Sequence, residues 1–216
     1  MKKISILGST GSIGVNALDI VAKHPDKFRV VALAGGFNLG KMAEQILNFR
    51  PELASVMDPE SARRLEESLP GKTTRLLSGM EGLVSVATHP EAEMVLSALA
   101  GSIGLLPTLA AVRARKSLAI ANKEPLVMAG DFLLREAKNN GVHILPVDSE
   151  HSAIFQALAG HRQEDIKRLI LTASGGPFLN TPPEKLAEVT PQQALNHPQW
   201  RMGRKVTIDK IGRAHV

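Results

Sequence analysis

The sequence predicts an α/β protein whose strands form a parallel sheet covered on both faces. Three observations carry that reading. Short, continuous apolar runs recur as far as about Val147. Segments with apolar residues at helical spacing alternate with them. Glycine-rich or polar turns follow the runs, where the ligands of such sheets bind. A strand buried on both faces reads as a continuous apolar run rather than an alternating one, and strand–helix alternation joins such strands in parallel.

The elements follow in order. Ile4–Leu7 is a strand that stops at Gly8, and Ile13–Lys23 is a helix. Arg29–Leu33 is the second strand and Leu39–Phe49 the second helix. Leu53–Met57 is a third strand, followed by a charged helix over Pro59–Ser68. Met94–Ala98 is a strand, Leu105–Arg115 a helix and Ser117–Ala121 a strand. Gly130–Asn140 is a helix closed by Gly141 as its C-cap, and His143–Val147 is one more strand. Beyond Val147 the rhythm changes. Ser149–Leu158 is a helix and Leu169–Thr172 a strand, and a Gly/Pro-rich stretch follows. The domain boundary is placed at Val147.

Composition narrows the function classes. The 216 residues include no Cys, no Tyr, one Trp and six Phe. Without Cys there is no disulfide, thiolate chemistry or cysteine metal site. Lys and Arg total 26 against 21 Asp and Glu, a formal charge of +5. That excess suits anionic ligands, but with so few aromatics it does not argue for nucleic acid. The opening apolar run ends at Gly8, short of a signal peptide. No run approaches the roughly 20 apolar residues of a membrane span. A soluble, cytoplasmic protein without nucleic-acid or membrane partners is the expectation.

Chemistry concentrates after the strands. Gly8-Ser9-Thr10-Gly11-Ser12-Ile13-Gly14 joins the first strand to the first helix. Glycines there let the backbone approach a pyrophosphate at a helix N-terminus, although a tight turn needing glycine for packing accounts for the same spacing. The second strand ends in Ala34-Gly35-Gly36-Phe37-Asn38, without the carboxylate that an NAD ribose attracts, which favours NADP; Lys41 is the nearest cation in sequence. Asn122-Lys123-Glu124 closes another strand and suits either a substrate oxygen or phosphate, or a solvated turn. Asp148-Ser149-Glu150 sets two carboxylates about a serine, suited to Mg²⁺ or Mn²⁺, or to an N-cap with acids in the first helical turn. His151 is a ligand candidate that equally fits inside the following helix. Ser174-Gly175-Gly176-Pro177-Phe178 is a glycine-rich turn that either holds a phosphate or simply turns. His197-Pro198-Gln199-Trp200 carries the only Trp, as a small core anchor or as part of a lid.

Taken in this order and spacing, Gly8–Gly14, Asn122–Glu124, Pro146–His151, Ser174–Phe178 and His197–Gly203 resemble 1-deoxy-D-xylulose 5-phosphate reductoisomerases over residues 1–209. The resemblance implies a Rossmann-like NADPH-binding domain (1–147) followed by the start of an α+β catalytic domain with a flap (148–209). It implies an enzyme of non-mevalonate isoprenoid synthesis that uses NADPH and Mg²⁺ or Mn²⁺. Its substrate would be a sugar phosphate, 1-deoxy-D-xylulose 5-phosphate, rearranged and reduced to 2-C-methyl-D-erythritol 4-phosphate, and a full-length member would be expected as a homodimer. By motif, Thr10, Gly11, Ser12 and Ile13 would contact the cofactor phosphates, and Gly36 and Asn38 the adenosine ribose. Asn122, Glu124 and Gly203 would line the cofactor. Asp148 and Glu150 would hold the metal. Lys123, Ser149, Glu150, Ser174 and His197 would bind substrate, with Lys123, Asp148, Glu150 and His197 as the catalytic set. Phe37 replaces a Lys found in some members.

The family pattern breaks after Asp209. Its next serine, its Asn-Lys phosphate contacts, its third metal carboxylate and its C-terminal helical domain have no counterpart here. The sequence is therefore expected to be truncated and inactive by itself; the alternative is a non-catalytic dinucleotide-binding regulatory module. Residues 210–216 read as a non-native tail. Ile211-Gly212-Arg213-Ala214-His215-Val216 is what ATCGGAAGAGCACACGTC encodes. That string matches a sequencing-library adapter whose preceding AG completes the codon of Lys210. A genomic read running into the same tail and a stop codon would refute this origin.

Overall fold

The computed structural model describes residues 1–71, 73–170 and 176–197. The chain divides into two compact units, Met1–Ser152 and Ala153–Val216.

The first unit alternates strands and helices: β1 (Lys2–Leu7), α1 (Ser12–Lys23), β2 (Phe28–Ala34), α2 (Leu39–Phe49), β3 (Leu53–Val56), α3 (Pro59–Ser68), β4 (Arg75–Ser78), α4 (Gly79–Ala87), β5 (Met94–Ser97), α5 (Leu105–Arg113), β6 (Ser117–Ile120), α6 (Glu124–Asn139) and β7 (Ile144–Pro146). A short 3₁₀ turn, Ser102–Gly104, leads into α5. All ladders are parallel, in the order β4-β3-β2-β1-β5-β6-β7. Strand order reverses between β1 and β5, which opens a crevice beyond their carboxyl ends.

Alternation along the strands builds a core on each face. Ile4, Ile6, Val30, Leu33, Ala54 and Leu96 pack with Leu18, Met42, Ile46 and Leu65 of α1, α2 and α3. Leu7, Ala32, Ala34, Val95 and Leu118 pack with Leu83, Val86, Ala111, Val112 and Leu133 of α4, α5 and α6. The predicted two-faced parallel sheet is thus observed, and most predicted elements fall within a residue or two of their observed bounds.

Three expectations need correction. The unit β4–α4 was not foreseen, because Arg75–Ser78 is a short edge strand without a fully buried residue and α4 opens on Gly79 and Gly82, which read as turn residues. The helix expected over Gly130–Asn140 begins at Glu124. Pro125 sits in the first turn, where proline is tolerated, and a kink at Ala129 (φ −150, ψ 34) separates the two stretches. Leu169 and Ile170 are not in a strand; the remainder of that expected strand, 171–172, lies outside the described residues.

Helix α7 (Ser149–Leu158) contains the division between the units. In the second unit, α8 (Pro191–Leu195) starts with a capping box in which Thr190 Oγ1 accepts from Gln193 N. Phe178 and His197 are buried in that unit. Among the described residues no helix is long and apolar enough to cross a membrane.

Candidate active site

The loop from β1 to α1 shows two kinds of glycine. Gly8 has φ +88, and a Cβ there would lie 2.5 Å from Ala98 O. A Cβ on Gly14 would lie 2.3 Å from Gly8 O and 2.5 Å from Ser9 Cα. Both glycines are required by the protein's own backbone packing. Gly11 differs: it is the N-cap of α1 with φ −78, and a Cβ there would make only an ordinary contact, 3.4 Å from Gly8 O. Gly36, across the crevice at the end of β2, has no atom within 4 Å of such a Cβ. The fold does not demand glycine at Gly11 or Gly36, and the space above them is open. The N-terminus of α1 has no side-chain cap, so its first N–H groups are oriented outward as an anion-binding end.

The loop is fixed from beneath. Gly8 N and Ser9 N both donate to Ala34 O at 2.8 Å. Gly36 N donates to Thr10 Oγ1 at 3.4 Å, and Gln45 Nε2 of α2 donates to Ser9 O at 2.9 Å. Asn38 caps α2, its Oδ1 accepting from Lys41 N at 3.1 Å. Phe37, beside it, is 75% exposed.

A second group gathers at the ends of β6 and β7. Asn122 is buried. Its backbone N–H donates to Ser97 O at 3.1 Å, its Nδ2 to Gly101 O at 3.2 Å, and its Oδ1 accepts from Glu124 N at 3.2 Å. A Cβ on Gly104 would lie 2.3 Å from Asn122 Nδ2. The Asn122 side chain thus braces the turn after β5 against the start of α6 from inside the protein. Glu124 is the first residue of α6.

Lys123 Nζ lies 3.7 Å from Asp148 Oδ2, and His151 Nδ1 lies 3.1 Å from Asp148 Oδ1. Asp148 precedes α7, where its carbonyl accepts from Ser152 N at 2.8 Å. Ser149 Oγ donates to Glu150 Oε2 at 2.8 Å. A pocket of about 360 Å³ opens here, lined by Ile120, Lys123, Leu126, Ile144, Asp148 and His151 among others. Among the described residues no three His, Asp or Glu side chains form a metal-holding group. Asp148 and Glu150 are hard oxygen donors of the type that Mg²⁺ takes one or two at a time, with water and substrate completing its shell.

Of the sequence-predicted residues, Thr10, Gly11, Ser12, Ile13, Gly36 and Asn38 are brought to the β1–β2 end of the sheet, and Lys123 meets Asp148. His197 is in the second unit. Ser174, Trp200 and Gly203 lie outside the described residues. Gln45 and the brace made by Asn122 were not foreseen. A polar residue on the core face of a helix, as in Met42-Ala43-Glu44-Gln45-Ile46, was the available signal for the first.

Comparison with known proteins agrees with this architecture. The family profile described as 1-deoxy-D-xylulose 5-phosphate reductoisomerase matches residues 4–130. That of the same enzyme's C-terminal domain matches residues 144–212. The reductoisomerase of Geotalea uraniireducens is 56% identical over 209 residues, 97% of this chain and 54% of the relative. A crystal structure of DOX-P reductoisomerase in complex with NADPH, fosmidomycin and magnesium superposes with a TM-score of 0.89 at 39% identity, covering 97% of this chain and 54% of that one. The Zymomonas mobilis enzyme in complex with NADPH gives 0.88 at 38%, over the same shares. The chain spans about half the length of the curated relatives it matches.

Proposed function

The chain belongs to the 1-deoxy-D-xylulose 5-phosphate reductoisomerase family, and from that premise we propose that it carries the NADPH-binding domain and part of the metal- and substrate-holding machinery of that enzyme. The reaction would rearrange 1-deoxy-D-xylulose 5-phosphate and reduce the resulting aldehyde to 2-C-methyl-D-erythritol 4-phosphate. The observation that carries the reading is the unexplained glycine character of Gly11 and Gly36. Both border open space beside an uncapped helix N-terminus, and a close-approaching dinucleotide accounts for both.

When bound, NADPH supplies the hydride, and a divalent cation supplies Lewis-acid charge for the substrate's oxygens. The chain's own residues do the rest. The N–H groups at Thr10 and along the first turn of α1 hold the pyrophosphate. Gly36 lets the adenosine ribose approach, and the lack of a carboxylate after β2 leaves a 2′-phosphate unopposed. Asp148 and Glu150 would hold the cation, with Ser149 and Glu150 also facing substrate. Lys123, ion-paired to Asp148, brings a positive charge to the same place, suited to an oxyanion or phosphate. Ser174 and His197 would bind substrate. A homodimeric, cytoplasmic enzyme is the accompanying expectation.

The test is equilibrium binding by the chain itself. NADPH titrated against it should bind saturably, with NADH at least about tenfold weaker, a difference of about 1.4 kcal/mol. Absence of saturable NADPH binding up to millimolar concentration would refute the reading.

A further inference from the structure

The buried underside of the β1–α1 loop meets a polar side chain of α2 that the proposed chemistry does not use. Gln45 lies on the core face of α2 between Met42 and Ile46, and like them it is buried. Its Nε2 donates to Ser9 O. Its Oε1 is buried without a hydrogen-bond partner among the described residues. A glutamine held in an apolar face with half its amide unsatisfied is costly, so its one bond is where its purpose should be sought.

That bond has a directional consequence. A trans peptide is planar, with its N–H pointing opposite to its C=O. The Ser9 carbonyl shares its plane with the Thr10 N–H. Drawing Ser9 O inward to Gln45 therefore turns the Thr10 N–H outward. Among the described residues that N–H has no hydrogen-bond partner. The opposite edge of Ser9 is fixed as well, since its N–H donates to Ala34 O at 2.8 Å. Gly14 presses on Ser9 Cα from the other side, where a Cβ would come to 2.5 Å. The Ser9–Thr10 peptide is thus clamped between β2, α1 and α2, and among the described residues Gln45 is the side chain that bonds to its carbonyl.

We propose that Gln45 is a positioning residue that aims the Thr10 N–H at the dinucleotide pyrophosphate. The assignment rests on the dinucleotide-binding reading above. Gln45 touches no ligand; it acts through the backbone of Ser9. The role centres on the pyrophosphate: Gly36, Phe37 and Asn38 of the adenosine end make no hydrogen bond to Gln45, and among the described residues their link to the loop is the long 3.4 Å bond from Gly36 N to the Thr10 side chain, not to the Ser9–Thr10 peptide.

The discriminating experiment compares two ligands on the 216-residue chain. Gln45→Met keeps the length and apolar packing of the side chain and removes the donor. It should weaken NADPH binding by about tenfold, equivalent to about 1.4 kcal/mol. Adenosine 2′-monophosphate, which lacks the pyrophosphate, should bind to wild type and variant within about twofold. Ile46→Val, which alters packing on the same buried face of α2 at a residue with no hydrogen bond to the β1–α1 loop, should leave both affinities within the same margin. Unchanged NADPH affinity in Gln45→Met, or an equal loss for both ligands, would overturn the proposal. If Gln45→Met does not fold, NMR on the wild-type chain decides. The Thr10 amide should shift strongly with NADPH and weakly with adenosine 2′-monophosphate, and equal shifts would overturn the assignment. A wild-type chain that binds adenosine 2′-monophosphate but not NADPH would instead refute the dinucleotide reading, and the role of Gln45 with it.

Discussion

Substituting Gly11 and Gly14 separately should split stability from ligand binding, because the two glycines of one loop exist for different reasons. At Gly14 an added Cβ meets Gly8 O at 2.3 Å and Ser9 Cα at 2.5 Å. These are backbone atoms that no rotamer change can move aside. Overpacking of this kind costs about 1–3 kcal/mol, offset by at most about 1 kcal/mol of alanine's helix propensity. Gly14→Ala should therefore lose about 1–2 kcal/mol, a melting-temperature drop of about 2–8 °C for a chain of this size. At Gly11 the added methyl sits 3.4 Å from Gly8 O in a backbone with negative φ. Only the weaker N-cap preference of alanine counts against it, about 0.5–1 kcal/mol. The same methyl would stand where a pyrophosphate approaches, so NADPH affinity should fall at least about tenfold, or about 1.4 kcal/mol. Circular dichroism melts and NADPH titration on both variants read the two quantities. A Gly11→Ala protein that binds NADPH like wild type would refute the argument from unexplained glycines. A Gly14→Ala protein as stable as wild type would refute the packing argument.

Three further outcomes are expected. Thr108→Val keeps the side-chain shape but breaks the buried 2.7 Å bond between Thr108 Oγ1 and Ser97 Oγ; leaving Ser97 unsatisfied should cost about 1–3 kcal/mol by urea denaturation, and no loss would mean the pair is inconsequential. His89 is buried, with its Nε2 3.7 Å from Glu52 Oε2; Lys116 and Glu91 also act on it, and burial pushes its imidazole below the usual value. The unfolded chain then binds a proton that the folded one resists, so this contribution is full above about pH 6.5 and is lost as pH falls through the lowered folded value. His89→Leu should flatten the fall in urea midpoint between pH 7.5 and pH 5, and parallel curves for variant and wild type would rule this origin out. Asp148→Asn removes a carboxylate and the partner of Lys123; Mn²⁺ affinity measured by electron paramagnetic resonance should drop by about tenfold, and retained affinity would remove Asp148 from the metal site.

The fold was legible where burial on two faces wrote long apolar runs. Ile4-Ser5-Ile6-Leu7 and Arg29-Val30-Val31-Ala32-Leu33 are central strands, and their runs survive because helices cover both sides. Legibility fails at the sheet's edge. Arg75–Ser78 pairs on one side only, with β3, and is only partly covered, so nothing required an apolar run there. Residues 124–129 failed for another reason. Pro125 sits in the first turn of α6 and a kink at Ala129 interrupts the helix just before Gly130, the residue at which the sequence reading starts it.

The site was legible only in the residues that a ligand would touch, and not in those that hold them. Parallel topology brings the turns after β1, β2, β6 and β7 to one end of the sheet, so strand–helix alternation alone groups motifs that lie far apart in sequence. Lys123 and Asp148 end adjacent strands, β6 and β7, and their approach follows from that pairing. The supports obey no such rule. Asn122 reads as a polar turn residue, yet its amide lies in the interior between Gly101 and Glu124, and Gly104 is glycine because of it. Gln45 falls on the apolar face of α2 by spacing, yet nothing in the local pattern names the peptide it turns, one layer beneath the loop. A supporting side chain is defined by the backbone atom it meets, and that atom belongs to a different segment. Its identity is therefore fixed by a contact that local pattern cannot encode, and it emerges only when the segments are packed together.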